Sequence, residues 1–324
     1  MKESFDEPDE KSLEEILVKF LIEKLKIHRE RDNDERVVDG GSSKGKRCIE
    51  PLIVGIQGPQ GIGKSTTTEK VSRNLRRNHR VTNLILSLDD FYLTYEEQRG
   101  LESKDPSHKL IRGRGLPGTH DTSLLRETLE SIKQIYKKKV NDRRNNDDSN
   151  NFNDINDCNQ IRIPIYDKSL HEGLGDRRGF KDIWIGAVDE KNKERSSIDL
   201  VILEGWMVGF LPIEEEELRK TYHNAKKSRS KPHVEDMADD QSLGPGDKKS
   251  FLIDHGLDEL VLINDRLKKD YYQPLWTQLN LIINLVPKDL DYIWEWRLQQ
   301  EHEMKAKNGG IGMADDQVKQ FISR

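Results

Sequence analysis

The stretch Leu52-Ile53-Val54-Gly55-Ile56-Gln57-Gly58-Pro59-Gln60-Gly61-Ile62-Gly63-Lys64-Ser65-Thr66 limits what this chain can become more than any other. It matches G-x-x-x-x-G-K-[ST] at Gly58, Gly63, Lys64 and Ser65. Its flanks agree with the motif. Leu52 to Ile56 is an apolar, largely β-branched run interrupted only by Gly55, the pattern of a buried parallel strand. Beyond Ser65, Val71 and Leu75 stand four residues apart among polar neighbours, which predicts a helix opened by the loop.

The residue types follow from what such a loop must do. Backbone N–H groups have to turn inward to wrap a polyphosphate, and glycine allows the closest approach. Lys64 brings positive charge to the outer phosphates, the Ser65 hydroxyl is the expected magnesium ligand, and the new helix directs its positive end at the anion. The run Gly58, Pro59, Gln60, Gly61, Ile62, Gly63, Lys64, Ser65, Thr66 is therefore the candidate nucleotide segment.

Composition bounds the remainder. Of 324 residues 35% are charged and only 33% hydrophobic, less than a usual apolar share, so a normal core must be diluted by polar insertions. A net charge of −5 supplies no basic field for nucleic acid or a membrane surface. Cys48 and Cys158 lie far apart in polar surroundings, which argues against a disulfide framework or thiolate metal site and fits a reducing compartment. The acidic N-terminus has no apolar signal core, and no apolar run approaches membrane-spanning length. The expectation is a soluble cytosolic protein, with the nucleus also open. Oligomeric state is not legible.

Two parts are expected: residues 1–50 as an amphipathic helix and polar linker, and 51–324 as the main domain. In the helix, Ser12 to about Arg29, Ser12 and Glu15 match a capping box, and Leu13, Ile16, Leu17, Phe20, Leu21 and Leu25 form one apolar stripe suited to packing on the domain's own sheet. Further strands are predicted at Thr82–Leu88, Ile198–Leu203 and Leu281–Val286, and helices at Thr122–Lys138, Asp258–Leu279 and from Ala314. Residues 141–160 and 212–250 are polar enough to read as disordered inserts. Strands alternating with helices give an α/β fold, a doubly wound parallel sheet of the P-loop NTPase type.

In such sheets ligands sit beyond the carboxyl ends of the strands. Asp89 follows the second strand and Glu204 the third, so both should face the phosphate loop. Asp89 could accept the proton of an attacking hydroxyl, and Glu204 could hold magnesium. Arg112 with Arg114, and Lys168 with Arg177, are basic segments able to meet an acidic acceptor. His120 is a candidate contact, beside an Asp121 that could equally cap the next helix. Arg297, on a helix after the fourth strand, could stabilise charge on a transferred phosphoryl group, while Trp294 and Trp296 read as packing residues.

These blocks taken together resemble a family. The chain is similar to the P-loop small-molecule kinases that include uridine kinase, phosphoribulokinase and pantothenate kinase. Within them it most resembles the D-glycerate kinase-like group, including fungal ATP-dependent kinases of unassigned substrate. The likeness rests on Gly58–Ser65, Ser87-Leu-Asp-Asp-Phe-Tyr92, Arg112-Gly-Arg-Gly-Leu-Pro-Gly-Thr-His-Asp121 and Tyr166-Asp-Lys-Ser169. It continues through Gly173–Arg177, Leu203–Trp206, Trp296–His302 and Gly312–Val318. The resemblance implies ATP and Mg2+ as cofactors, Asp89 as the base and Arg297 on a helical lid, and it places the Arg114–Asp121 and Tyr166–Lys168 blocks near the acceptor. With the residues read above, the candidates are Lys64, Asp89 and Arg297 for catalysis, Ser65 and Glu204 for the metal, and Tyr92, Arg114, His120, Tyr166, Asp167 and Arg177 for the acceptor. The resemblance also implies an aromatic, proline-containing segment and a further strand after Phe321-Ile-Ser-Arg324, so the expected sheet lacks the family's last strand.

The expected activity is phosphorylation of a hydroxyl on a small acidic metabolite, D-glycerate first. The alternatives are another acceptor (a nucleoside, pantothenate or another sugar acid) or an ATP-binding regulator without transfer activity. No Asn-Lys-x-Asp sequence follows a late strand, which disfavours a switch GTPase.

Overall fold

The computed structural model describes residues 12–37, 50–144, 159–185, 198–229, 251–289, 291–307, 309–310, 312–316 and 318. In chain order its main elements are α1 (Leu13–Val37), β1 (Leu52–Gln57), α2 (Lys64–His79), β2 (Asn83–Ser87), α3 (Tyr95–Lys104), α4 (Thr122–Arg144), β3 (Asn159–Asp167), β4 (Asp176–Ile185), β5 (Leu200–Gly205), α5 (Glu215–Arg229), α6 (Leu257–Arg266), β6 (Leu281–Asn284) and α7 (Asp291–Lys307). Strands β2, β5, β1 and β6 lie side by side in that order, and every pairing between them is parallel. Strands β3 and β4 form a separate antiparallel hairpin.

Alternation along the strands divides the core into two layers. Leu52, Val54 and Ile56 of β1 join Leu200 and Ile202 of β5 on one face, against Val71 and Leu75 of α2 and Leu17, Val18, Leu21 and Leu25 of α1. Ile53, Val201, Leu203, Leu84 and Leu86 line the opposite face with Leu125, Leu129 and Ile132 of α4, Ile161 and Ile163 of β3, and Tyr271 and Trp276. The sheet is thus covered on both faces, as its near-continuous apolar strands require. Among the described residues no helix is long and apolar enough to cross a membrane.

The capping box at the start of α1 forms as expected: Glu15 N–H donates to Ser12 Oγ at 3.3 Å and Ser12 N–H to a Glu15 carboxylate oxygen at 3.1 Å. The buried stripe differs from the expected one. Leu17, Leu21 and Leu25 are covered together with Val18, whereas Leu13, Ile16 and Phe20 remain exposed. Leu17, Val18, Leu21 and Leu25 pack with Val71 and Leu75 of α2 and the face of the sheet that carries Leu52 and Ile202, and that contact decides which side of the helix is covered. Arg29 to Asp199 (2.6 Å) and Asn74 to Glu14 (2.8 Å) hold it there. It also continues to Val37, into the stretch expected to be linker.

Other boundaries shift as well. Part of the expected 212–250 insert is helical: the acidic first turn of α5, Glu215, Glu216 and Glu217, favours a helix N-terminus, and Leu218 is buried. Residues 230–250 lie outside the described residues. Helix α4 extends six residues past Lys138 to Arg144, and β3 starts at Asn159, so only 145–158 of the other insert lie outside the described residues. Strand β4 was not expected at all. Its pattern is amphipathic, with many exposed charged positions, because it pairs with β3 rather than entering the main sheet. The helical stretch 258–279 divides into α6, a π-helical turn at Leu267–Tyr272 and a short 3-10 turn at Trp276–Gln278 around Pro274. Strand β6 ends at Asn284, two residues short of Val286, and Asp315, Asp316 and Val318 are helical, with 319–322 outside the described residues.

Candidate active site

The loop after β1 opens α2 as the motif requires. Gly63 stands at the N-cap with φ +85°, and Gly61 has φ +83°, conformations glycine adopts without strain. Gly61 has a second reason to lack a side chain: a Cβ there would come within 2.5 Å of Trp296 Cβ, so α7 lies directly on the loop. Lys64 folds back over it, its ammonium donating to Pro59 O at 2.9 Å. Burial pushes this ammonium below its ordinary pKa, while the nearby Glu204 and Asp89 charges pull it back up.

Register explains what Glu204 touches. It pairs with Ile56 of β1 on one side and Ser87 of β2 on the other. Two residues on from Ile202, it projects from the α2 face of the sheet, where Ser65 begins the helix. Its Oε1 accepts from both hydroxyls, Ser65 Oγ and Ser87 Oγ, each at 2.9 Å, and the residue is 5% exposed. Ser87 was not singled out from sequence. Its signal was there, as the last residue of β2 beside a carboxylate at the end of β5.

Asp89 lies on the short turn that follows β2, and the hairpin reaches it. Lys168, just past the end of β3, donates to Asp89 Oδ2 at 2.5 Å, and Tyr166 N–H reaches the neighbouring Asp90 at 3.4 Å. Burial is the largest influence on the Asp89 carboxyl and would raise it. The Lys168 ammonium, by charge and hydrogen bond, outweighs burial and holds the group below the usual carboxylate range. Asp90 has less compensation, and burial raises it. Tyr92 is buried and its hydroxyl bonds to Asp89. Burial first, then the Asp89 charge, push this phenol well above its ordinary value.

Behind Tyr92 lies His120, stacked on it with ring centroids 4.3 Å apart and bridged to it through the backbone. His120 Nδ1 is 2.9 Å from the Tyr271 hydroxyl, which also accepts from Gly118 N–H at 2.9 Å. The hydroxyl hydrogen has no acceptor among the described residues other than that Nδ1. Assigning it there makes Nδ1 an acceptor and puts the imidazole proton on Nε2. Among the described residues Nε2 has no partner, and burial lowers the imidazole pKa to about 4, against a weaker pull from Asp89. Tyr271, from the π-helical turn, was also missed from sequence.

The basic candidates separate by partner. Arg177 is clasped by Asp121 Oδ2 at 3.0 Å and also reaches Tyr92 O at 3.4 Å. Asp121 meanwhile caps α4 through Leu124 N–H, as its position suggested. Arg114 donates to the carbonyls of Gly173 and Leu174 at 2.7 and 2.6 Å, tying down the turn between β3 and β4, with its guanidinium 6.0 Å from the Tyr166 ring centroid. Burial raises the Tyr166 phenol, with Arg114 opposing. Asp167 is engaged locally by Ser169 N–H and Oγ at 2.9 and 2.6 Å, apart from the Asp89 group. Arg112 reaches Pro106 O. Arg297 pairs with Glu301 at 3.2 Å on α7, beside Gly61. Burial lowers its guanidinium pKa, with Glu301 opposing. Glu301 also accepts from Met313 N–H at 2.8 Å, which fastens the next segment to the same helix.

This arrangement has known relatives. No family model matches the chain. It is 32% identical over 274 residues to "Uncharacterized kinase mug58" of Schizosaccharomyces pombe, covering 84% of this chain and 78% of that protein. The chain belongs to this family of P-loop kinases, the D-glycerate kinase-like group. It is likewise 32% identical over 282 residues to "Probable ATP-dependent kinase TDA10" of Saccharomyces cerevisiae, covering 86% of this chain and 76% of the other. Among solved structures, a D-glycerate 3-kinase from Cryptococcus neoformans var. grubii superposes with a TM-score of 0.71 at 31% identity, over 97% of this chain and 86% of that one. The kinase is ATP-dependent and acts on a small molecule, and its parallel sheet is that of its relatives.

Proposed function

We propose that this kinase transfers the γ-phosphoryl group of ATP to a hydroxyl of a small hydroxy acid, with D-glycerate the first candidate, and that Mg2+ accompanies the nucleotide. What carries the reading is the convergence of the Lys64 loop, Glu204 at the end of β5 and Asp89 after β2 at one edge of the sheet. The named acceptor is that of the Cryptococcus structure.

The residues fit a magnesium ion. Ser65 and Glu204 offer hard oxygen donors already 2.9 Å apart, and Mg2+ in such sites takes one or two protein oxygens along with substrate phosphates. When bound, the ion would neutralise charge on the nucleotide phosphates. The chain's own groups supply the remainder. The loop Gly58 to Thr66 holds the phosphates through the backbone N–H groups of its residues other than Pro59, and Lys64 leaves Pro59 O for a phosphate oxygen. Tyr92, Arg114, His120, Tyr166, Asp167 and Arg177 surround the acceptor, Arg177 and Asp167 chiefly by shaping the loops. Asp89 accepts the hydroxyl proton as the new O–P bond forms and the bond to the leaving ADP oxygen breaks. Arg297 on α7 faces the transferring group. Most of the rate comes from positioning and fixed charge.

The test is ADP release by purified protein with Mg-ATP, with and without D-glycerate, beside Asp89→Asn. Glycerate-dependent turnover lost in the variant supports acceptor and base together. Intact ATP binding with no stimulation removes D-glycerate.

A further inference from the structure

Each strong cation near the site has a structural partner, and one of them stands out by what that partner is. Arg177 is paired with Asp121, Arg297 with Glu301, and Lys64 with a loop carbonyl. Arg114 bonds to carbonyl oxygens in the β3–β4 turn. Lys168 is bonded to Asp89, the group that must receive the acceptor hydroxyl, at 2.5 Å. The lysine side chain is 55% exposed, whereas the aspartate is 33% exposed and its carboxyl is largely covered. An ammonium that stays largely in water loses little by exchanging one anionic partner for another.

The lysine also sits on a part of the fold separate from the main sheet. It follows β3, at the head of a turn in which His171 and Glu172 both take left-handed backbone (φ +52° and +58°), and Arg114 holds the far side of that turn. The hairpin presents Lys168 and the N–H of Tyr166 to the Asp89–Asp90 pair. A hydroxyl approaching Asp89 therefore meets an ammonium already on its target oxygen. A neutral acceptor would have to compete with that ammonium and offer it only neutral oxygens, with no charge to replace that of Asp89. A hydroxy acid brings a carboxylate within a few bonds of its hydroxyl and gives the ammonium a new anionic partner as the hydroxyl takes Asp89.

We propose that Lys168 reads the acceptor's negative charge, resting on Asp89 in the free kinase and pairing with the carboxylate of a bound hydroxy acid. This deepens, and rests on, the reading of Asp89 as the acceptor's base. Selection then works in both directions, by attracting the acid and by penalising the uncharged analogue.

The experiment compares wild type, Lys168→Met and Lys168→Arg with D-glycerate and its uncharged amide, D-glyceramide, under Mg-ATP. In wild type kcat/KM for the acid should exceed that for the amide by at least a hundredfold. Lys168→Met should bring the two within about fivefold, mainly through a higher KM for the acid, and Lys168→Arg should restore at least a tenth of the preference. A Lys168→Met enzyme that keeps the wild-type preference overturns the inference. A binding measurement separates this failure from that of the acceptor reading. With lysine labelled by 13C at Cε, the Lys168 resonance (assigned by its absence in Lys168→Arg) is followed in the Mg-bound complex with a non-hydrolysable ATP analogue. If D-glycerate is not turned over, a panel of hydroxy acids is titrated instead. A Lys168 shift with one acid and not its amide sustains the inference and replaces D-glycerate. No shift with any of them overturns it.

Discussion

Tyr271→Phe probes the link between the π-helical turn and the acceptor side of the site. The variant removes one oxygen and keeps the ring, so the packing beside Trp276 (centroids 5.9 Å apart) is retained. Two groups lose their partner, the part-buried Gly118 N–H and the buried His120 Nδ1, each 2.9 Å from the missing hydroxyl. A buried polar group left unsatisfied costs about 1–3 kcal/mol, so with one of the two partly open to water the loss should total roughly 2–5 kcal/mol. Urea unfolding measures it directly, and the melting temperature should fall by roughly 4–20 °C at the 2–4 °C per kcal/mol usual for larger domains. Nitrogen NMR supplies the specific readout. Wild-type His120 should carry its proton on Nε2, and Tyr271→Phe should populate the Nδ1–H form. Tyr136→Phe is the control, since that hydroxyl donates to Ile198 O at 2.7 Å and accepts from Ile198 N–H. It should lose stability without moving the His120 tautomer. A Tyr271→Phe loss under about 0.5 kcal/mol, or a wild-type proton found on Nδ1, would refute the reasoning.

Further outcomes follow from other contacts in the site and the core. His120 has a folded pKa near 4, below its unfolded value, so the unfolded chain takes up the proton first. Stability should be complete above the unfolded value near 6.5 and decline as pH falls toward 4, by up to about 3 kcal/mol, and His120→Gln should flatten that part of the pH–stability curve. Asp89→Asn should lower kcat by about 10²–10⁴-fold with little change in the KM for ATP. The acid limb of wild-type kcat/KM, which reports the free enzyme with Lys168 on Asp89, should lie below the ordinary carboxylate range and move up in Lys168→Met, where burial of Asp89 is no longer outweighed. Glu204→Gln should raise the Mg2+ concentration needed for half-maximal rate, read from a metal titration at fixed ATP. Leu21→Ala, at a side chain 1% exposed between α1 and the sheet, should cost about 2–5 kcal/mol in urea unfolding, whereas Phe20→Ala on the exposed side should cost far less.

How much of this was legible in the sequence depended on how locally each feature is encoded. The loop at Gly58–Ser65 has its spacing, strand and helix signals all between Leu52 and Leu75. Glu204 was found by a rule about strand ends, which needs only the strand to be recognised. The face of α1 was less legible, because Leu13, Ile16 and Phe20 are as apolar as the leucines that became buried. Only the neighbouring layer decides which side is covered. Strand β4 and helix α5 were hidden by charge: both expose most of their residues, so the apolar periodicity that reveals an element is weak in them.

The acceptor side is the least legible part, for a physical reason. Lys168 and Asp89 are 79 residues apart, and Tyr271 and His120 are 151 apart. Periodicity reports the side of its own element on which a residue lies, and says nothing about which other element that side will meet. The phosphate site can be local because its chemistry is largely backbone N–H groups on one loop. Recognition of an acceptor needs side chains of different types from several directions, and the proposed acceptor side draws on the turn after β2, the hairpin, the Gly115–Asp121 segment and the π-helical turn. The partner of each polar group then decides what it can do. Arg177 and Asp121 satisfy one another, whereas Lys168 occupies an oxygen of Asp89, the one our proposal gives to the acceptor. Sequence could name both cations as candidates, but only their partners separate the one that builds the site from the one that can answer to its ligand.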